Sequence, residues 1–140
     1  MFRALRYMPP LQMQAADLLL RQGNAKVEKA LTDWKNNLVQ MNRTFDPNLP
    51  TEKQTVWMRF YKPRTGQEWF VTALDENKLY CIYYCGEFYR RIYDPQVLRM
   101  EPGIVLDIYF QPQTFSELMK THKNCEDCRK RRIDFVKLMR

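Results

Sequence analysis

Residues 68–93, EWFVTALDENKLYCIYYCGEFYRRIY, decide the fold. Three runs rich in β-branched and aromatic residues, 68–74, 78–85 and 87–93, are divided by Asp75-Glu76-Asn77 and by Gly86. Such side chains suit a pleated, half-buried surface, while Asp, Asn and Gly tolerate the backbone conformations of a tight reversal. The pattern predicts consecutive antiparallel strands. Toward the N-terminus a fourth run, 55–61, is joined to them by Pro63-Arg64-Thr65-Gly66, a type I turn sequence whose glycine can take positive φ. A fifth, 104–110, is set off by Asp94-Pro95 and Pro102-Gly103 and stopped by Pro112. The expectation is an α+β fold built on a four- to five-stranded antiparallel meander over about residues 54–110.

Alternation along the strands adds a constraint. Val56, Met58 and Phe60 oppose Trp57 and Tyr61, and Tyr80, Ile82 and Tyr84 oppose Leu79, Cys81 and Tyr83. Both faces carry large apolar bodies, whereas a sheet with one wet face would be polar at every second position. Both faces should therefore be covered, one by a helix and the other by a second helix or a partner.

The flanks read as helical. Pro9 and Pro10 close a basic N-terminal arm, residues 1–10, and a helical region is expected over 11–43. Its first part places Leu11, Ala15, Leu18, Leu19 and Gln22 on one side, and Gly23-Asn24 marks a C-cap or kink. In its second part Val27, Leu31, Trp34, Leu38 and Met41 recur at four- and three-residue spacings, an apolar stripe about two heptads long. That stripe can dock on the protein's own sheet or on a neighbouring subunit, and it is taken as a candidate partner surface. Proline fixes the segment 44–53 as an extended connector. After the sheet segment, 54–112, Thr114 with Glu117 forms a capping-box pattern that opens a basic C-terminal helical arm, 113–140.

The chain has 140 residues, the length of one ordinary domain, and a net charge of +7. The excess sits at the ends. Residues 54–112 carry seven basic and seven acidic side chains, whereas residues 113–140 carry eight basic against four acidic. A neutral sheet argues against a nucleic-acid groove across its faces, while Arg129, Lys130, Arg131 and Arg132 could meet an acidic protein, anionic lipid or RNA. Tyr89-Arg90-Arg91 and Tyr93 come closest to the interleaving of aromatics and arginines that an RNA platform needs. No stretch approaches the ~18 apolar residues of a membrane span.

Chemistry-bearing residues are few. Cys81, Cys85, Cys125, Cys128 and His122 are the zinc candidates, since four thiolates, or three ligands with the imidazole, could approach a tetrahedral site. Four residues of extended strand separate Cys81 from Cys85 by about 13 Å, too far for one ion without a bend, so free thiols are the simpler reading there. Lysines and arginines around Cys125 and Cys128 disfavour a second cation, and the thioredoxin-like alternative lacks its βαβ setting. His122 lies in a lysine-rich stretch with no evident carboxylate to orient it, and it reads as solvent-exposed. No glycine-rich phosphate loop occurs.

No catalytic residue and no cofactor are therefore expected. Arg3 and Arg6, with no acid before Asp17 and with Phe2, Leu5 and Met8 interleaved, resemble an amphipathic mitochondrial targeting segment in composition. The reading is a non-catalytic accessory subunit of a mitochondrial multiprotein complex, of the respiratory chain or ATP synthase, peripheral to the membrane and working through contacts with other protein subunits. The alternatives are an RNA-binding protein of the mitochondrial ribosome and a small zinc-binding adaptor.

Overall fold

Glu76 and Asn77 both adopt positive φ, 49° and 63°, between the paired residues Asp75 and Lys78. Two successive left-handed residues make the mirror-image turn whose twist matches that of the flanking strands, so the central hairpin is tight. In the computed structural model, which describes residues 6–123, this hairpin joins β3 (Glu68–Asp75) to β4 (Lys78–Tyr84) at the middle of a five-stranded antiparallel sheet. Before it come β1 (Thr55–Val56) and β2 (Met58–Tyr61), and after it β5 (Phe88–Tyr93) and β6 (Val105–Leu106). Strand order is β5-β4-β3-β2-β6, so four strands form a meander and the chain returns to lay β6 beside β2. The α+β class and the antiparallel meander stand as the residue pattern predicts.

The other turns follow from their residues. Gly66, at φ 74°, ends the β2–β3 loop, where the Lys62 carbonyl accepts from both Thr65 and Gly66 amides at 3.3 and 3.0 Å. Gly86, at φ 105°, turns the chain from β4 to β5. Two strands are shorter than their sequence runs. The run 55–61 breaks at Trp57, because Thr55 and Val56 pair instead with β7 (Gln113–Thr114). The run 104–110 keeps only two residues, because Asp107 turns the chain by accepting the Tyr109 amide at 3.1 Å and bonds Arg59 across the sheet.

A β-bulge at Thr72 resets the alternation along β3. Trp69 and Val71 point to one face, and the extra residue returns Leu74 to that same face, opposite Leu79. This first face holds the main core, with Met58, Phe60, Trp69, Val71, Leu79 and Leu106 among its side chains. Helices α1 (Pro10–Arg21) and α2 (Ala25–Gln40) and a single turn, α3 (Pro95–Leu98), complete it. The second face is thinner. Val56, Phe70, Ile82 and Tyr84 pack there against Phe115 and Leu118 of α4 (Phe115–Lys123). The capping box forms: the Thr114 hydroxyl accepts from the Glu117 amide at 3.2 Å, and the Glu117 carboxylate accepts from the Thr114 amide at 3.3 Å. A second helix of this chain thus covers part of the second face.

The junction between α1 and α2 is closed on both sides. Asn24 and Gly23 amides donate to Leu19 and Leu20 carbonyls, the Schellman pattern, with Gly23 at φ 73°. The Asn24 side chain then caps α2 by accepting the Val27 amide at 3.1 Å.

Three sequence expectations are corrected here. Val27, Leu31, Trp34, Leu38 and Met41 are buried in the main core, so the stripe is consumed by the protein's own sheet and offers no partner surface. Leu11 and Leu18 face outward at 80% and 57% exposure, while Ala16 is buried with Met13, Leu19 and Leu20 packed around it. The side of α1 that turns inward is set by Gln12. Its amide donates to the Leu106 carbonyl at 2.6 Å and accepts from the Leu106 amide at 2.8 Å, fixing the rotation of the helix on the β6 edge. Finally, residues read as an arm belong to the core: Tyr7 and Met8 are buried, and Arg99 and Gln96 donate to the Met8 and Arg6 carbonyls at 2.9 and 3.2 Å.

Candidate functional site

Two constellations stand out from the packing. The first lies on the second face, where β2 and β3 each place one charged side chain among aromatic neighbours. Arg59 donates from Nε to Glu68 Oε2 at 2.8 Å and from a terminal nitrogen to Asp107 Oδ2 at 3.1 Å. The other carboxylate oxygen of Glu68 lies 2.8 Å from His122 Nε2. Glu68 is buried and the His122 side chain is only 10% exposed, with Phe70, Tyr84 and Phe88 around the imidazole. Burial by itself would raise the Glu68 carboxyl, but hydrogen bonds from His122 and Arg59, with the guanidinium charge, outweigh it and hold the group below the usual carboxylate range. Burial pulls the Arg59 guanidinium down, and Glu68 and Asp107 more than restore it, leaving it raised. An ionised Glu68 can only accept, so His122 Nε2 carries the proton.

This chain of groups corrects the reading of His122 as a solvent-exposed histidine. Its carboxylate partner lies 54 residues away, brought close by the capping box that starts α4 over the β3 end of the sheet. Both oxygens of Glu68 are used, so the arrangement ties α4, β3, β2 and the Asp107 turn into one polar clamp inside an otherwise apolar layer.

The second constellation is β5. It is an edge strand, and five of its six residues are exposed, unlike those of β3 and β4. Phe88, Tyr89 and Ile92 are 40%, 43% and 56% exposed. Register with β4 puts Phe88, Arg90 and Ile92 on the second face and Tyr89, Arg91 and Tyr93 on the first. On the first face the Arg91 guanidinium lies 4.8 Å over the Tyr83 ring and 5.7 Å from that of Tyr89. On the second, Arg90 donates from Nε to the Thr51 hydroxyl, a neutral partner, at 2.9 Å. Tyr89 donates its hydroxyl to Glu87 at 2.7 Å, and that hydrogen bond pushes the phenol up.

Beside β5 on the second face, the connector forms a wall. Phe45 stacks on Tyr80 at 4.4 Å with the rings 11° from parallel, and its amide donates to Asp75. Between this wall and the strand is a cavity of about 160 Å³ lined by Phe45, Thr72, Tyr80, Ile82, Arg90 and Ile92. It is apolar at the base and cationic at one rim.

Cys81 is buried on the first face, where burial pushes its thiol far up, and Cys85 is exposed beyond the end of β4. Among the described residues no three metal-ligating side chains gather. Cys125, Cys128, Arg129, Lys130, Arg131 and Arg132 lie outside the described residues. Among the described residues no helix is long and apolar enough to cross a membrane.

Sequence reasoning missed Arg59, Glu68 and Asp107. The signal was present: each is a lone charge beside or within an aromatic run, and a charge buried in such surroundings requires a partner. No family model, no curated protein and no solved structure matches the chain.

Proposed function

We infer that this protein is a non-catalytic accessory subunit that works by contact with other proteins, and that β5 is where contact is made. The observation that carries this reading is an edge strand that, among the described residues, pairs on one side only: Phe88, Tyr89 and Ile92 present apolar surface beside two arginines, while Tyr83 and Tyr84 of the neighbouring strand are buried. Exposed apolar surface grouped with polar neighbours marks interaction sites, and aromatic and arginine side chains are enriched where protein interfaces bind tightly. The Arg59–Glu68–His122 clamp supports the same reading, since both carboxylate oxygens are engaged and aromatic rings enclose the imidazole.

The setting proposed is a mitochondrial multiprotein complex, a respiratory chain or ATP synthase assembly. It rests on the arginines and the lack of acids in the first sixteen residues. The chain carrying a photoreactive residue in place of Tyr89, expressed in cells, should appear in the mitochondrial fraction and crosslink to one defined neighbour. A monomer in that fraction with no crosslinked neighbour at any surface position would overturn the assembly reading; recovery of the chain outside mitochondria would overturn the setting.

An RNA-binding role in the mitochondrial ribosome is the second reading, favoured by the Arg91 contacts with Tyr83 and Tyr89 on one face of β5. It predicts RNA affinity that falls steeply between 50 and 200 mM salt, by roughly a thousandfold if six phosphates are contacted.

A further inference from the structure

We propose that β5 accepts an added antiparallel strand from a partner protein, a segment in which two consecutive acidic residues are flanked by apolar ones. This inference rests on the assembly reading and specifies the chemistry of its contact.

The two edges of the sheet are treated differently. At β6 the Gln12 side chain bonds both the amide and the carbonyl of Leu106, standing in for a neighbouring strand. At β5, among the described residues, strand pairing is with β4 alone. An edge strand presents alternate unpaired amides and carbonyls, and an extended peptide can complete them with main-chain hydrogen bonds. β5 has no proline, no bulge and no lysine and pairs regularly over all six residues; the protection it carries against indiscriminate pairing is the charge of Arg90 and Arg91.

Side-chain order then selects the partner. Directly opposed cross-strand residues interact, and like charges there are unfavourable. In a second copy pairing β5 against β5, outward-facing residues must meet outward-facing ones, so a register centred on Arg90 or on Arg91 sets that guanidinium directly opposite its own copy, and the pair repels. A strand with acidic residues at those two positions instead forms two opposite-charge pairs, one on each face of the sheet, because Arg90 and Arg91 point to opposite faces. Its flanking residues meet Phe88, Tyr89 and Ile92, which asks for apolar side chains. Ile92 itself lines the cavity of about 160 Å³, on the sheet face that the residue opposite it would share. A cavity of that order holds a benzene-sized group, so a phenyl ring fits that position.

The probe is the peptide acetyl-Thr-Val-Phe-Glu-Glu-Val-Val-Thr-amide, whose phenylalanine lies opposite Ile92 in antiparallel register, compared with the same peptide carrying two lysines for the two glutamates. Binding to the full chain is measured by fluorescence anisotropy, and hydrogen exchange of the complex reads the amides of β5. The glutamate peptide should bind at least about tenfold more tightly than the lysine peptide. Amides at alternate positions from Phe88 to Tyr93 should gain protection. In the double variant Arg90→Glu/Arg91→Glu the preference between the peptides should reverse, and circular dichroism confirms that these exposed substitutions leave the fold intact.

Equal affinity for both peptides, binding without alternate protection of β5, or no binding at millimolar peptide would each overturn the inference. So would self-association of the chain that protects the same amides. Those failures leave the assembly reading standing if the chain still crosslinks to a neighbour through another surface, and an absence of any neighbour removes both.

Discussion

The two edges of this sheet are made of the same backbone and end in opposite conditions. At β6 a strand of two residues is closed by a glutamine side chain, braced by α1 and by the Arg99 hydrogen bond to Met8. At β5 a strand of six residues has five of them exposed and, among the described residues, pairs with β4 alone. Closing an edge costs little: one side-chain amide offers both a donor and an acceptor in the spacing a strand would present. The long edge, unpaired on its outer side among the described residues and lined with aromatic and guanidinium side chains, is therefore where we propose contact with a partner. What the difference teaches is that buried side chains are concentrated around β2, β3 and β6, while β5 carries the exposed ones on which the proposed contact rests.

The comparison can be broken by substitutions whose costs should differ sharply between the halves. The largest effect is expected at the clamp. Glu68→Ala leaves Arg59 and His122 without their shared acceptor in a nearly dry layer and should lower unfolding free energy by about 3 kcal/mol, measured by urea denaturation. The same carboxylate makes the closed half acid-sensitive. Its folded pKa lies below the unfolded value, so its contribution is fully present above about pH 4.5 and is lost as pH falls through the depressed folded pKa. Wild-type protein should lose stability through that window, and Glu68→Gln should show a flatter acid limb; superimposable profiles would deny the clamp its role.

Next comes the closed edge itself. Gln12→Ala removes both hydrogen bonds to Leu106 and should cost about 2 kcal/mol, with faster hydrogen exchange at the Leu106 amide. A cost under 0.5 kcal/mol would mean that the edge needs no closing. The hairpin turn sharpens the picture from between the two halves. Glu76 takes positive φ without being glycine or asparagine, so the pair Glu76→Asn and Asn77→Gly should raise thermal stability by about 1 kcal/mol. The smallest effect is expected on β5, where Ile92→Thr should change stability by less than about 0.5 kcal/mol while weakening peptide binding. A large loss at Ile92 would show that β5 belongs to the stable half after all.

Much of the closed half could be read along the chain. The three runs of residues 68–93, the Thr114–Glu117 capping box and the helical period of α2 are local patterns whose spacing states its own geometry, and each occurs where the residues put it, whereas the runs 55–61 and 104–110 are cut short by tertiary contacts. The rotation of α1 could not be read that way. Leu11, Ala15, Leu18 and Leu19 make a plausible apolar side, yet Leu11 and Leu18 face solvent, because Gln12 binds the β6 edge and turns Met13 and Leu20 to the core. The clamp was hidden for a related reason. Glu68 and His122 are far apart in sequence, and neither residue's neighbours name the other.

At the open edge the residues Tyr89, Arg90 and Arg91 were visible as an aromatic and basic cluster, but not whether they would be covered. Exposure is decided by where chain segments run out, and helix α4 reaches Phe88 with His122 while leaving Ile92 outside.

By itself the sequence determined the alternation of strands, the turns between them, the caps of the helices and the neutrality of the sheet, because these depend on residues within a few positions of one another. Only the tertiary structure decided that the Val27–Met41 stripe is core and not a partner face, that His122 has a buried carboxylate, and that one sheet edge is closed and the other open. Those outcomes depend on which surfaces meet after the chain has folded back on itself, and a side chain's partner across the fold carries no mark in its local sequence.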